Sequence, residues 1–154
     1  MAAPALAWDG HGYVDMNWGA EPLEAGFRSW NWSRSRHAGA SAVFYEGRRR
    51  DGAPFGLALR FAADGAAEPV APPPLCRLRR TNWLLPRLTR ADPPGGARLV
   101  RTLEDTPFNS RSILAARLFG ETAPTVHESV GLDRFTAPWV QAILPYRMPR
   151  RPLR

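Results

Sequence analysis

A chain of 154 residues is long enough for one domain with a sizeable core. Hydrophobic residues make up 44% and charged residues 23%, which argues against wholesale disorder and against a fibrous repeat. The formal net charge is +7 and every basic residue is arginine, so an anionic partner is allowed, but the charge does not choose between nucleic acid and a membrane surface.

Targeting and redox signals are weak. No apolar run approaches the roughly 20 residues of a membrane-spanning helix, and residues 1–7 are too short and lack the basic start of a secretory signal. The single cysteine, Cys76, rules out an internal disulfide. We therefore expect a cytoplasmic protein, with peripheral contact to the inner or intracytoplasmic membrane as an option. The expected organisation is a short lead at 1–7, one β domain at 8–146, and a basic, proline-containing tail at 147–154.

The first patterned stretch, GYVDMNWG at residues 12–19, alternates polar and apolar side chains. A strand over 11–18 would place Tyr13, Asp15 and Asn17 on one face and Trp18 on the other. A solvated polar face is the commoner outcome in antiparallel sheets. If this face is instead enclosed, desolvation raises the pKa of Asp15 and makes it a carboxylic acid able to donate a proton. The pattern leaves both interpretations open.

The next stretch, residues 26–36, also has the period-two pattern of a strand. Trp30 and Trp32 fall on the same face as three arginines, and this face carries the chemically richer side chains. Tryptophans beside arginines can stack on the bases of nucleic acid. No basic stripe is linked to a known motif, so nucleic-acid binding is the less favoured alternative and we expect no nucleic-acid partner.

The remaining elements are short strands separated by turns. Residues 42–46 and 54–65 form a predicted hairpin around a turn at 50–52, and the proline-rich stretch 66–75 reads as a loop. Four further strands are predicted at 81–88, 97–105, 110–119 and 123–130, although 112–119 also has helix propensity. About seven antiparallel strands without βαβ alternation predict an all-β sandwich or up-and-down barrel.

Several kinds of site are disfavoured. His11, His37 and His127 are widely separated and no cluster has zinc-ligand spacing, so we predict no metal site. Neither a G-x-S-x-G elbow nor a phosphate-binding glycine loop is present. His127 either has a structural role or hydrogen-bonds into a cavity. The apolar side chains of Trp139, Leu144 and Tyr146 are expected in core or interdomain packing.

Six segments in order resemble the carotenoid 1,2-hydratases (hydroxyneurosporene synthases), which are lipocalin-like proteins of the AttH type. They are G-x-G-Y-x-D-x-N-W-G at 10–19, EPLEAGFRSWNWSRSR at 21–36, AVFYE at 42–46, EDTPFNSRS at 104–112, HESVGLDRF at 127–135 and PWVQAILPYRMPRR at 138–151. The resemblance covers the chain from about residue 8 to residue 151. It implies a lipocalin-like antiparallel β-barrel or sandwich that corresponds to one half of a two-barrel protein.

The resemblance also implies a reaction. In such enzymes water adds to the terminal C1–C2 double bond of an acyclic carotenoid of the neurosporene or lycopene type, through protonation at C2 and capture of the resulting C1 cation by water. Asp15 would then be the proton donor, with Tyr13 orienting it or the water. The residues expected to bind substrate or stabilise the cation are Asn17, Trp18, Trp30, Trp32 and His127. No cofactor is required by this mechanism.

Two departures from the family pattern qualify this expectation. Val14 and Met16 stand where relatives commonly carry histidine beside the aspartate. The family also has an N-terminal half with a histidine and a tryptophan implicated in catalysis. We expect this chain to correspond to the C-terminal half, as a truncated, split or decayed form. The alternatives are a non-catalytic module that binds a hydrophobic isoprenoid, and a subunit that needs a separately encoded N-terminal half.

Overall fold

The structure is a computed structural model that describes residues 7, 9, 12, 14, 16–93 and 96–146. Within these residues the chain forms nine strands and three short helices. The strands are β1 (Phe27–His37), β2 (Ala40–Arg49), β3 (Pro54–Ala62), β4 (Ala67–Pro69), β5 (Leu75–Leu78), β6 (Arg87–Arg90), β7 (Ala97–Asp105), β8 (Asn109–Leu118) and β9 (Glu121–Gly131). The helices are α1 (Leu23–Gly26), α2 (Leu132–Phe135) and α3 (Pro138–Ile143).

Seven strands form one antiparallel sheet in the order β4-β3-β2-β1-β9-β8-β7, and β5 pairs with β6 in a separate two-stranded sheet. Tight turns join neighbouring strands, and Gly39 and Gly52 adopt positive φ angles in two of them. Glycine is suited to these positions because a side chain disfavours this backbone region. The predicted all-β class is confirmed. None of the helices in the described residues is long and apolar enough to cross a bilayer.

One face of the large sheet, here called the inner face, carries a band of buried polar side chains. They are Asn31, Ser33, Ser35 and His37 from β1, Ser110 and Ser112 from β8, and Thr125, His127 and Ser129 from β9. Strand β6 lies against this face and contacts β1, β2 and β9. The inner face is therefore covered by a strand of the same chain.

The apolar part of the core continues on the inner face of β2 and β3. Ala42, Phe44 and Ala58 form one buried cluster with Leu118 of β8, and Val70 packs against it. Burial of apolar surface provides the non-directional part of the stability, of the order of 25 cal/mol for each Å² removed from water. The core thus has an apolar part beside β2 and β3 and a polar part beside β6.

Several predicted strands are confirmed. Strand β7 has the predicted bounds, 97–105, and the ambiguous stretch 112–119 is a strand rather than a helix as far as Leu118, where β8 ends. The predicted strands within 26–36, 42–46 and 123–130 lie in β1, β2 and β9, and the predicted loop at 66–75 holds only the short β4 before β5 begins.

Residues 12, 14 and 16–19 belong to no strand, which argues against the strand interpretation of 11–18, whose residues 11, 13 and 15 lie outside the described residues. The strand prediction for 81–88 is wrong over most of its length. In the stretch 81–88 a strand begins only at Arg87, because Thr81–Leu85 closes a hydrogen-bonded turn and Pro86 has no N–H to donate. The division into segments 1–7, 8–146 and 147–154 stays a prediction.

Candidate functional site

The predicted catalytic pair, Tyr13 and Asp15, lies outside the described residues. Their neighbours Asn17 and Trp18 are described and are exposed, with Trp18 87% accessible to solvent. Their roles in substrate binding stay predictions. Geometry is therefore available for the other three candidates, Trp30, Trp32 and His127.

Trp30 lies in an aromatic cluster on the face of the sheet opposite the inner face, which we call the outer face. Its ring stacks on Phe55 at 5.5 Å and meets Phe27 and Tyr45 edge-on at 5.4 and 5.3 Å between centroids. We call Phe27, Trp30, Tyr45 and Phe55 the aromatic cluster. Offset and edge-on contacts of this kind add to the stability gained from burial alone.

A cation already lies beside this cluster. The guanidinium carbon of Arg49 is 5.8 Å from the Phe27 ring centroid and 5.9 Å from the Phe55 centroid. Ring faces attract positive charge through their quadrupoles. The rings of Phe27 and Phe55 therefore already interact with one positive charge, that of Arg49.

Trp32 and His127 lie on opposite faces of the sheet. Trp32 pairs with Tyr45 on β2 and with Glu128 on β9, whereas His127 pairs with Ser33, the residue after Trp32. Directly paired residues point to the same side of an antiparallel sheet. The structure therefore brings Trp30 and Trp32 together but separates both from His127.

His127 is fully buried on the inner face and bonded to the backbone of β6. Its Nε2 atom is 2.9 Å from the carbonyl oxygen of Leu88, which can only accept, so Nε2 carries the proton and donates. Desolvation lowers the pKa of His127 from 6.5 to about 4, although the bond to Leu88 acts in the opposite direction. The imidazole is therefore neutral near pH 7, with Nδ1 as its acceptor.

Arg87 is the buried cation of the polar core, and sequence reasoning did not identify it. Its guanidinium donates to the Arg79 carbonyl at 3.1 Å, to Thr102 Oγ1 at 3.0 Å and to Ser110 Oγ at 3.2 Å. Burial lowers the pKa of Arg87, while the charge of Asp105 raises it. An arginine remains charged in such a setting, so these neutral acceptors solvate a buried positive charge.

Two further bonds tie β6 to the large sheet, and a third lies within the large sheet beside them. Asn31 Oδ1 accepts from Ser129 Oγ at 2.8 Å and from the Leu88 N–H group at 3.4 Å. Thr89 Oγ1 donates to Ser33 Oγ at 3.3 Å. With the bonds of Arg87 and His127, these contacts join β6 through side-chain hydrogen bonds to strands β1, β8 and β9.

A sequence signal for this network was present. Small polar residues recur at every second position in β1, at Asn31, Ser33 and Ser35, and the same spacing recurs in the other strands of the inner face. The chemistry was expected on the face of β1 that carries the tryptophans and arginines, and this face is the outer face. Among the described residues, no group of three His, Cys, Asp or Glu side chains is placed to hold a metal ion.

Comparison with known proteins identifies relatives over nearly the whole chain. The sequence pattern of the family described as carotenoid hydratase CrtC matches residues 1–154. An acyclic carotenoid 1,2-hydratase from Thiocapsa roseopersicina is 51% identical over 151 residues, which are 97% of this chain and 37% of that protein. An acyclic carotenoid 1,2-hydratase from Cereibacter sphaeroides is 45% identical over 145 residues, or 94% of this chain and 52% of that protein. The chain thus spans between about a third and about half of the length of these relatives.

A solved structure supports the fold. A protein assigned as AttH from Nitrosomonas europaea superposes with a TM-score of 0.51 over 75% of this chain and 42% of that chain, at 13% sequence identity. An identity this low is informative for the fold alone, and it confirms the predicted lipocalin-like, AttH-type architecture. The matched family and the identity to its curated members lead to one conclusion: the chain belongs to the carotenoid hydratase family.

Proposed function

We propose that this chain takes part in the hydration of the terminal C1–C2 double bond of an acyclic carotenoid. The observation that carries the proposal is the 51% identity over 151 residues to a protein named acyclic carotenoid 1,2-hydratase. The substrate class is a polyene of the neurosporene or lycopene type. No cofactor or metal takes part in the proposed chemistry.

The reaction begins with proton transfer from the carboxylic acid of Asp15 to C2. The π electrons of the double bond form the new C–H bond, which leaves a tertiary cation at C1 and a carboxylate at Asp15. Water then bonds to C1 through oxygen and returns one proton to the carboxylate, so the net change is the addition of one water. Water alone is too weak an acid for the first step, and a positioned carboxylic acid is required.

The other candidates have supporting roles in this proposal. Tyr13 orients Asp15 or the attacking water, while Asn17 and the tryptophans Trp18, Trp30 and Trp32 bind the polyene and stabilise the positive charge. For His127, its burial and its bond to Leu88 favour a positioning role. In that role it holds β6 in place instead of contacting the substrate.

The assembly is part of the proposal, because the chain spans only 37% and 52% of two curated relatives. We propose that this chain is active in combination with a second polypeptide. That polypeptide supplies the part of those relatives that this chain does not match. The cytoplasm, at a membrane surface, is the proposed location because an acyclic carotenoid is apolar and collects in bilayers.

The experiment uses lycopene or neurosporene in detergent and follows the 1-hydroxy product by chromatography and mass. The 154-residue chain is incubated alone and together with the segment of the Thiocapsa protein that it does not match. Product in either reaction supports hydration. Absence of product in both, with carotenoid still retained by the protein, would favour the second candidate function, a non-catalytic isoprenoid-binding module.

The role of Asp15 is tested by Asp15→Asn in whichever preparation is active. Asp9→Asn is the matched control, since Asp9 is exposed and lies close in sequence. We expect Asp15→Asn to abolish turnover with an unchanged circular dichroism spectrum, whereas Asp9→Asn retains full turnover. Unchanged turnover in Asp15→Asn would refute the assignment of the proton donor.

A further inference from the structure

Trp83 and Leu84 are presented to solvent by a short turn with fixed geometry. The Thr81 N–H group donates to the Leu85 carbonyl at 3.1 Å, and the Leu84 and Leu85 N–H groups donate to the Thr81 carbonyl and hydroxyl oxygens, each at 3.0 Å. Leu84 has a φ of +63° and is 64% exposed. An unfavourable backbone conformation thus places an apolar side chain in water, the opposite of what packing alone would select.

A second tryptophan extends this apolar surface. The ring of Trp139, from α3, stacks on the ring of Trp83 with 6.1 Å between centroids and 25° between planes, and both side chains are partly exposed. We call Trp83, Leu84 and Trp139 the tryptophan patch. Residues from two separate parts of the chain form the tryptophan patch, so it is more than one isolated exposed side chain.

Two arginines donate hydrogen bonds to the backbone of the tryptophan patch. Arg80 Nη1 donates to the Leu84 carbonyl at 3.2 Å, and Arg134 Nη1 donates to the Trp83 carbonyl at 3.4 Å. Of the acidic groups nearby, Asp133 pairs with Arg28 and Arg50, while Asp105 accepts from the Asn82 N–H group and interacts electrostatically with the buried Arg87. Exposed rings and an aliphatic side chain are therefore backed by positive charge.

We infer that the tryptophan patch docks the protein on a phospholipid bilayer that carries anionic headgroups. Tryptophan favours the boundary between headgroups and acyl chains, where an exposed leucine can enter the apolar layer. Arg80 and Arg134 then lie at the depth of the phosphates and gain from the negative surface potential.

A second copy of the chain fits this surface less well. A symmetric contact would make the patch face itself and would bring four guanidinium groups, two from each copy, close together. Like charges juxtaposed in an interface oppose association.

The inference rests on the proposed function only in that an apolar substrate resides in a bilayer. The docking test measures vesicle binding and needs no turnover, so membrane docking and hydration can be refuted separately.

The test is flotation of the 154-residue chain with two kinds of vesicle. One contains phosphatidylcholine alone, and the other contains phosphatidylcholine with phosphatidylglycerol. We expect tighter binding to the anionic vesicles. Leu84→Asn should weaken that binding about tenfold because it removes the inserted side chain, and asparagine tolerates positive φ, so the turn is retained. Arg80→Gln should weaken binding about fivefold.

The matched control is Leu57→Thr, which alters another exposed leucine, on β3 outside the patch, and should leave binding unchanged. Vesicles with brominated acyl chains give a second measurement: quenching of fluorescence should fall in both Trp83→Phe and Trp139→Phe. Equal binding of Leu84→Asn and the unmodified chain would overturn the inference, as would equal binding to both kinds of vesicle. A change of oligomeric state in Leu84→Asn without a change in vesicle binding would assign the patch to a protein partner instead.

Discussion

His127 and Leu88 link the two sheets through one buried hydrogen bond, in which the imidazole Nε2–H group donates to the Leu88 carbonyl at 2.9 Å. Strand β6 is only four residues long and pairs in the described structure with β5 alone. Side-chain hydrogen bonds therefore attach β6 to the large sheet. The bond from His127 comes from a fully buried ring. His127 acts as an anchor for the strand that covers the inner face.

Removal of this anchor should cost stability. We expect His127→Ala to lower the free energy of unfolding by about 2–4 kcal/mol, since it creates a cavity and leaves the Leu88 carbonyl without its donor. Urea denaturation followed by circular dichroism measures the change. Thr122→Ala, at an exposed position of the same strand, is the control and should change stability by less than about 0.5 kcal/mol. A similar small loss for both variants would show that His127 carries little of the attachment of β6.

Stability should also depend on pH through His127. Desolvation lowers its pKa from 6.5 to about 4 in the folded chain, so the unfolded chain binds a proton first as the pH falls. Stability from this group is complete above about pH 6.5 and is lost as the pH falls toward about 4, by at most about 3 kcal/mol. Urea midpoints between pH 7.5 and 4.5 measure the slope. In His127→Gln the slope over this range should be shallower, and an identical slope would contradict the prediction.

Two buried serines of β8 should respond differently to the same substitution. Ser110 Oγ accepts from Arg87 at 3.2 Å, whereas Ser112 Oγ has no hydrogen-bond partner within the described part of the chain. Ser110→Ala should therefore destabilise the fold by about 1–3 kcal/mol, because a buried charge loses an acceptor. Ser112→Ala removes a hydroxyl that has only a desolvation cost, so it should be neutral or stabilising. Urea midpoints of the two variants measure the two changes in stability. An equal loss of stability in both variants would contradict the different hydrogen bonding of Ser110 and Ser112.

Period-two patterns predicted strands well but did not predict which face is buried. In β1 the small side chains of Asn31, Ser33 and Ser35 are buried, because β6 supplies matching donors and acceptors from more than 50 residues away. A local pattern contains no information on such a distant partner, and polar side chains alone suggest a solvated face. This is why the inner face was missed while the strand itself was predicted.

The failed strand over 81–88 has a different physical cause. The stretch is rich in apolar residues, which is typical of a strand. The Thr81 hydroxyl and backbone, however, close a turn that places Leu84 at positive φ, and Pro86 cannot donate to a sheet ladder. Proline gave a sequence signal, but no residue around Leu84 predicts a positive φ for a leucine, which disfavours this backbone region. For the candidate site, the sequence motifs supplied Tyr13 and Asp15, while Arg87 and the role of His127 required the structure.

The aromatic cluster should be sensitive to the size of one glycine. A Cβ atom at Gly47 would lie 2.9 Å from Phe27 Cε1 and 3.4 Å from Phe55 Cβ. The Phe27 ring cannot move freely, since it contacts Trp30 and Phe55 edge-on and lies beside Arg49. Gly47→Ala should therefore cost about 1–3 kcal/mol through overpacking.

Gly56→Ala is the matched control, because Gly56 lies in the neighbouring strand and a Cβ there would meet its nearest atom at an ordinary 3.9 Å. Alanine reduces the entropy lost on folding, so this variant should be neutral or slightly stabilising. Near-ultraviolet circular dichroism should change in Gly47→Ala alone, since the aromatic rings must shift. If both variants have the same stability and the same aromatic spectrum, the close packing of Phe27 over Gly47 does not hold in solution, and the outer face around Trp30 is looser than these contacts indicate.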